Sequence, residues 1–160
     1  MLTRDAHGGG ELVIAAVEEL RHTRDELGDD PWRLMTMEFE GGGGMIAAVR
    51  DGVRWIDRPE LDLAVEITLC FPLGAEGEDI PQDVVDWLNG IDDALQAVLG
   101  DDGLVVMHST LPPWRTVFSD LRDGDADALR RLRDYAKTLP KGKVTTARDP
   151  GWYRVGRAIG

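Results

Sequence analysis

Along residues 61–71, LDLAVEITLCF, every odd position is apolar: Leu61, Leu63, Val65, Ile67, Leu69 and Phe71. Asp62, Glu66 and Thr68 fall on even positions. Side chains alternate across a strand, so this period of two predicts a strand with one buried face and one wet or lightly covered face. Downstream the period changes. From Pro81 to Leu99, Val84, Leu88, Ile91, Leu95 and Val98 recur every three or four residues, with Gln82, Asp86, Asn89, Asp93 and Gln96 opposite them. That pattern predicts an amphipathic helix that Pro81 opens and Gly100 ends. GLVVMHST and WRTVFSDL then read as two strands, with Leu111-Pro112-Pro113 turning the chain between them. Asp125 is placed to cap a helix over 126–139, with Leu129, Leu132, Tyr135, Ala136 and Leu139 facing inward and Pro140 as its stop. KVTTA closes the series as a short strand.

Before residue 61 the signals are shorter. Leu12, Val13, Ala16, Val17, Leu20 and Leu27 have helical spacing, predicting a helix over about 10–27 that Gly28 stops. WRLMTMEFE alternates and reads as a strand, MIAAV as a second, and VRWI, after the turn dipeptide Asp51-Gly52, as a short third. Four glycines, Gly41–Gly44, separate the first two. A phosphate loop needs its glycines to lead into a helix, with a lysine and a hydroxyl at set positions. Here a strand follows and neither residue is present, so the run reads as a hairpin turn using glycine's access to positive φ.

From residue 61 the order is β-α-β-β-α-β. It predicts an α+β fold of ferredoxin-like type, an antiparallel sheet with both helices on one face. The 160 residues form one domain: residues 1–58 an N-terminal helix-and-hairpin extension, 59–155 the ferredoxin-like core, 156–160 a tail.

Charge changes this picture more than composition does. The net charge is −12, and from Pro59 to Trp114 there is no lysine or arginine among twelve carboxylates. Residues 115–160 are net basic. An acidic centre repels nucleic acid and anionic membranes and attracts basic partners. Neither an apolar leader nor an 18-residue apolar stretch is present, and Cys70 is the only cysteine, so the expectation is a cytoplasmic protein without internal disulfides.

Residues capable of chemistry are sparse. His7, His22 and His108 are scattered. His108 and Ser109 are adjacent in one strand and point to opposite faces, so they cannot serve as nucleophile and base. Cys70 lies on the even face of its strand without an assignable partner. There is no His-x-x-x-His and no cysteine pair, and the loop EGEDIPQD lacks calcium-loop spacing, so no metal or cofactor is expected. Trp87, beside the apolar stripe of the acidic helix, suits either a helix–sheet seam or a partner surface.

PQDVVDWLNGIDDALQAVL, GLVVMHSTLPPWRTVFSDL, DADALRRLRDYAKTL and the closing ARDPGWYRV, with Asp149, Pro150 and Trp152, together resemble bacterial domain-of-unknown-function family 695 over about residues 61–155. The resemblance implies the fold of bacterial regulators that bind and inhibit ribonuclease E, and it carries no catalytic residues. Leu111-Pro112-Pro113 departs from the Gly- or Asn-containing turn of that family. The functional expectation is a non-enzymatic interaction protein that docks a basic protein partner such as a nuclease, a toxin or a nucleic-acid-binding protein. It would do so through Asp86, Trp87, Asn89 and Asp93 on the helix and Glu76, Glu78 and Asp79 in the loop before it. The alternative is a small-molecule binder or an enzyme with an unmarked site near His108 or Cys70. A homodimer joined through sheet faces or edges is a further expectation, and direct nucleic-acid or membrane binding is not.

Overall fold

The computed structural model describes residues 32–40, 43–51, 55–74 and 79–153. The helix predicted over 10–27, His7, His22, the hairpin tip, Glu76 and Glu78, and residues 154–160 lie outside them. Six strands and two helices follow in order: β1 (Trp32–Glu38), β2 (Gly44–Arg50), β3 (Leu63–Cys70), α1 (Gln82–Leu99), β4 (Gly103–Leu111), β5 (Trp114–Leu121), α2 (Ala126–Ala136) and β6 (Lys143–Arg148). The fold is α+β, one antiparallel sheet in the order β1-β2-β4-β5-β3-β6. It differs from a four-stranded arrangement by carrying β1 and β2 beyond β4.

The glycine-flanked pair forms the expected hairpin, Trp32 opposite Arg50 and Glu38 opposite Gly44. Phe39 N–H donates to the Gly43 carbonyl, and Gly43 takes φ 85°, which glycine adopts without the Cβ penalty. Of the predicted third strand VRWI, Val53 and Arg54 lie outside the described residues, and the part that is described is not a strand. Trp55–Asp57 is a single 3-10 turn. β3 lies beyond β4 and β5 in the sheet, so the chain leaving β2 must cross to reach it rather than fold straight back. Leu61 N–H closes the entry to β3 on the Arg58 carbonyl. The helix predicted over 126–139 ends at Ala136 rather than Leu139. The chain leaves it through turn bonds, Thr138 N–H to Tyr135 O and Leu139 N–H to Ala136 O, and then passes Gly142. A Cβ at Gly142 would lie 1.9 Å from the Ala136 carbonyl oxygen, so only glycine fits this crossing.

The alternation of β3 sorts the core. Val65, Ile67 and Leu69 join Val105, Val117 and Leu121 of the neighbouring strands under Leu88, Ile91, Leu95 and Leu99 of α1 and Ala128, Leu132 and Ala136 of α2. Both helices bury their stripes in this one cluster, each fully buried leucine contributing roughly 1.5–3 kcal/mol. Asp125 caps α2, its carboxylate accepting from Ala128 N–H at 2.9 Å.

Leu61 breaks the alternation. It precedes β3 and belongs to a second cluster with Val49, Val106, Met107 and Trp152. The segment after β6 supplies the tryptophan: Asp149 N–H donates to Asp62 O, and Trp152 Nε1–H to Leu61 O at 2.6 Å. Trp152 is 4% exposed and sits at φ 51°, a conformation this double anchoring holds in place.

Trp152→Ala is expected to lower unfolding free energy by about 3–5 kcal/mol in urea titration. Trp152→Phe keeps an aromatic ring but strands the Leu61 carbonyl, and is expected to cost about 1–3 kcal/mol.

Candidate functional site

Position 92 of α1 falls four residues after Leu88 and three before Leu95, inside the buried stripe, yet holds an aspartate. Asp92 is 7% exposed. A buried carboxylate needs a matching charge, and β5 provides one. Arg115 is 4% exposed, and its Nη2 donates to Asp92 Oδ2 at 2.5 Å while Nη1 donates to Thr110 Oγ1 at 3.0 Å. Thr110 lies directly opposite Arg115 in the β4–β5 register. Burial pulls the Arg115 guanidinium's pKa down, and the Asp92 charge opposes that.

His108 completes the group. The β4–β5 register slips between Val105 and Met107, leaving Val106 as an extra residue. Without the slip His108 would share a face with Val106. With it, Val105, His108 and Thr110 sit opposite Ser119, Val117 and Arg115, on the helix-covered face. His108 Nδ1 is then 2.6 Å from Asp92 Oδ2, an ion-pair separation approached off the N–H axis. Gln96 of α1 serves the same stretch, accepting from Val105 N–H at 3.0 Å and donating to the Gly103 carbonyl at 3.3 Å.

From the β2 side, Trp32 stacks on the imidazole, ring centroids 5.5 Å apart and planes 28° from parallel. Ala48, opposite His108 in the β2–β4 register, has no side chain beyond Cβ to hold the rings apart. Arg50 lies over the Trp32 ring, 5.1 Å from its centroid. Burial lowers the Arg50 pKa, with the charge of Asp93 acting in the opposite sense. On α2, the Tyr135 hydroxyl is pushed up first by burial and then by the Asp92 charge.

Chemically, the carboxylate holds the Nδ1 side of an imidazole whose ring stands between a tryptophan and a helix. No serine, threonine or cysteine side chain makes a hydrogen bond to that imidazole among the described residues. Cys70 lies opposite Trp114 on the other sheet face, so His108 and Cys70 do not share a site.

The acidic residues divide into two sets. Glu60 pairs with Arg58, Asp62 with Arg148, Asp92 with Arg115 and Asp102 with Arg131. Three of these four pairs draw on the basic third of the chain, so the central acidic block is partly neutralised in a way that sequence distance concealed. Asp79, Asp83, Asp86, Asn89 and Asp93 are exposed, and Asp86 accepts from the Gln82 amide at 2.8 Å. Trp87 is 39% exposed. At about 100° per residue it lies roughly 160° round the helix from Asn89, so the two occupy opposite flanks. A separate open groove between the end of α1 and α2 is lined by Asp101, Asp102, Arg131, Asp134 and Tyr135. Among the described residues no three His, Cys, Asp or Glu side chains gather as metal ligands, and no helix is long and apolar enough to cross a membrane.

No family model, no curated protein and no solved structure matches the chain. Asp149 and Trp152, the residues of the closing Asp-Pro-x-Trp, act in the fold: the Asp149 carboxylate accepts from Tyr153 N–H at 3.0 Å, and Trp152 seals the second cluster.

Removing one partner of the buried pair, Asp92→Asn or Arg115→Gln, is expected to cost about 3–5 kcal/mol in urea unfolding, whereas Asp92→Leu with Arg115→Met is expected to recover most of it. Arg148 and the Asp123 N–H hold the Asp62 carboxyl below its ordinary value. A folded-state pKa below the unfolded one adds stability that is present above the usual carboxylate range and lost as pH falls through the folded value. Asp62→Asn is therefore expected to flatten the acid limb of stability below about pH 4, as followed by thermal unfolding across pH.

Proposed function

We propose that the chain is a non-enzymatic interaction protein that presents the outer face of α1 to a basic protein partner. The observation that carries this reading is charge left unmatched on a rigid support. The 18 residues of α1 contain no lysine or arginine, and Asp83 and Asp86 have no ion-pair partner among the described residues. By contrast Glu60, Asp62, Asp92 and Asp102 of the same acidic block are each matched by an arginine. Asp93 extends the stripe and shares the field of Arg50. Gly90 and Ala97 are exposed beside these aspartates and keep the face low, so a partner's lysine or arginine side chains can approach closely.

In this reading β3–β6 with the two helices form a ferredoxin-like unit, supported by the strand order β6-β3-β5-β4 within the larger sheet, and β1–β2 extend it. The resemblance to family 695 and to inhibitors of ribonuclease E favours a nuclease as the basic partner. The single cysteine suits a cytoplasmic setting. Glu76, Glu78 and Asp79 would widen the acidic surface, and Trp87 would contribute at its far flank.

Covalent capture of partners from the native cell extract, with wild-type protein and the Asp83→Asn/Asp86→Asn/Asp93→Asn variant, tests the proposal. The expected result is one basic partner, lost with the triple variant, whose association rate falls steeply between about 50 and 500 mM salt as the Debye length contracts below about 10 Å. Capture unchanged by the variant, or a rate indifferent to salt, would overturn it.

A further inference from the structure

The buried group beside β1–β2 meets the acidic stripe at one point, Asp93, whose charge acts on Arg50. Arg50 in β2, His108 in β4 and Arg115 in β5 lie in diagonal sequence on one face of the sheet: Ala48, two residues from Arg50, is opposite His108, and Thr110, two residues from His108, is opposite Arg115. Arg115 is almost wholly out of water and Arg50 part-way, and burial lowers the pKa of each. Both keep a buried Nε–H without a hydrogen-bond partner. The side-on edge of a guanidinium, Nε with Nη, is the geometry that matches a carboxylate or a phosphate. Asp92 contributes the carboxylate in contact with Arg115, which already neutralises it. Its Oδ1 is buried without a hydrogen-bond partner.

His108 stands between the arginines. Asp92 occupies its Nδ1 side and Trp32 one ring face. The Nε2 atom makes no hydrogen bond and is not sealed from solvent, and the side chain is 12% exposed. With Asp92 Oδ2 2.6 Å from Nδ1, Nε2 is the open nitrogen of the ring. With a hydrogen on Nε2 the ring can donate to an anion, which would sit between His108 and Arg50. The anion would add a negative charge beside Arg50, where the Asp93 charge already acts.

We propose that the surface over His108 is a binding site for a small oxyanion, a carboxylate or a phosphate, with His108 Nε2 as the contacting donor and Arg50 as its charge partner. The site would hold a ligand within a protein whose overall charge of −12 otherwise repels anions. The aspartate at its base makes the affinity modest and its geometry selective.

Inorganic phosphate and acetate, each titrated at constant ionic strength against the full chain, test this by the NMR signals of the His108 ring and the Trp32 indole. The expected result is saturable shifts in both residues with at least one of the two anions. Arg50→Gln, at a partly exposed position, is expected to weaken that binding about tenfold, the loss of roughly 1.4 kcal/mol. His108→Gln should abolish the response of Trp32. Saturation by phosphate alone assigns a phosphate ligand, and saturation by acetate alone a carboxylate. Shifts that rise linearly with either anion, or saturate with equal affinity in wild type and Arg50→Gln, would overturn the site. Arg50→Gln carries the test if His108→Gln loses the native spectrum.

Discussion

A carboxylate in the core-facing stripe of a helix requires a cation from another element, and this one demand organises much of the molecule. Asp92 would be unstable in an apolar interface. Arg115 reaches it from β5, and Thr110 holds the other end of the guanidinium from β4. The pair therefore fixes α1 against two strands at a chosen height, which a stripe of leucines alone does not specify. Burying such a pair yields little net stability compared with a well-packed apolar pair, but leaving either half alone is costly. Its effect here is on placement. The same carboxylate sets the Nδ1 side of His108, and through His108 it fixes where Trp32 and the β1–β2 hairpin sit.

The slip at Val106 is the second constraint. Strand alternation is strict, so one extra residue exchanges the faces of everything after it. Val105 and His108 share the helix side only because Val106 is passed over, and Val106 and Met107 both enter the second cluster. The irregular stretch needs partners for its free backbone groups, and Gln96 supplies both a donor and an acceptor. A polar residue on the solvent flank of α1 thus stabilises a bulge that in turn aims the histidine.

Charge is arranged by the same pairing of distant segments. α1 has no basic residue in its last turn, where the helix dipole favours one. Arg131 of α2 takes that place, Nε donating to the Val98 carbonyl and Nη2 to Asp102. The basic third of the chain uses part of its charge in closing the helix end and in pairing Asp62. Among the described residues, Asp83 and Asp86 on the outer side of α1 have no ion-pair partner, on a helix already held by its buried face.

Sequence pattern alone determined the element series from β3 to β6, the hairpin at the glycine run, the cap at Asp125 and most inward residues of the two helices, though not Leu99 or Ala128. These follow from local periodicity and turn chemistry, which act over a few residues. It also marked Asp86 and Asp93 as outward-facing. The inward turn of Asp92 was legible in principle from its spacing to Leu88 and Leu95, but an aspartate within an acidic run reads as solvent-facing. Tertiary structure decided the rest. Trp55 and Ile56 went into a turn because β3 lies across the sheet from β2, and Leu61 went to the opposite cluster because Trp152 returned to it from 91 residues away. The ion pairs between the acidic centre and the arginines after residue 114, and the turning of His108 toward α1, depend on register and on packing between segments far apart in the chain. No local pattern encodes these, since each energy term exists only once two elements are brought into contact.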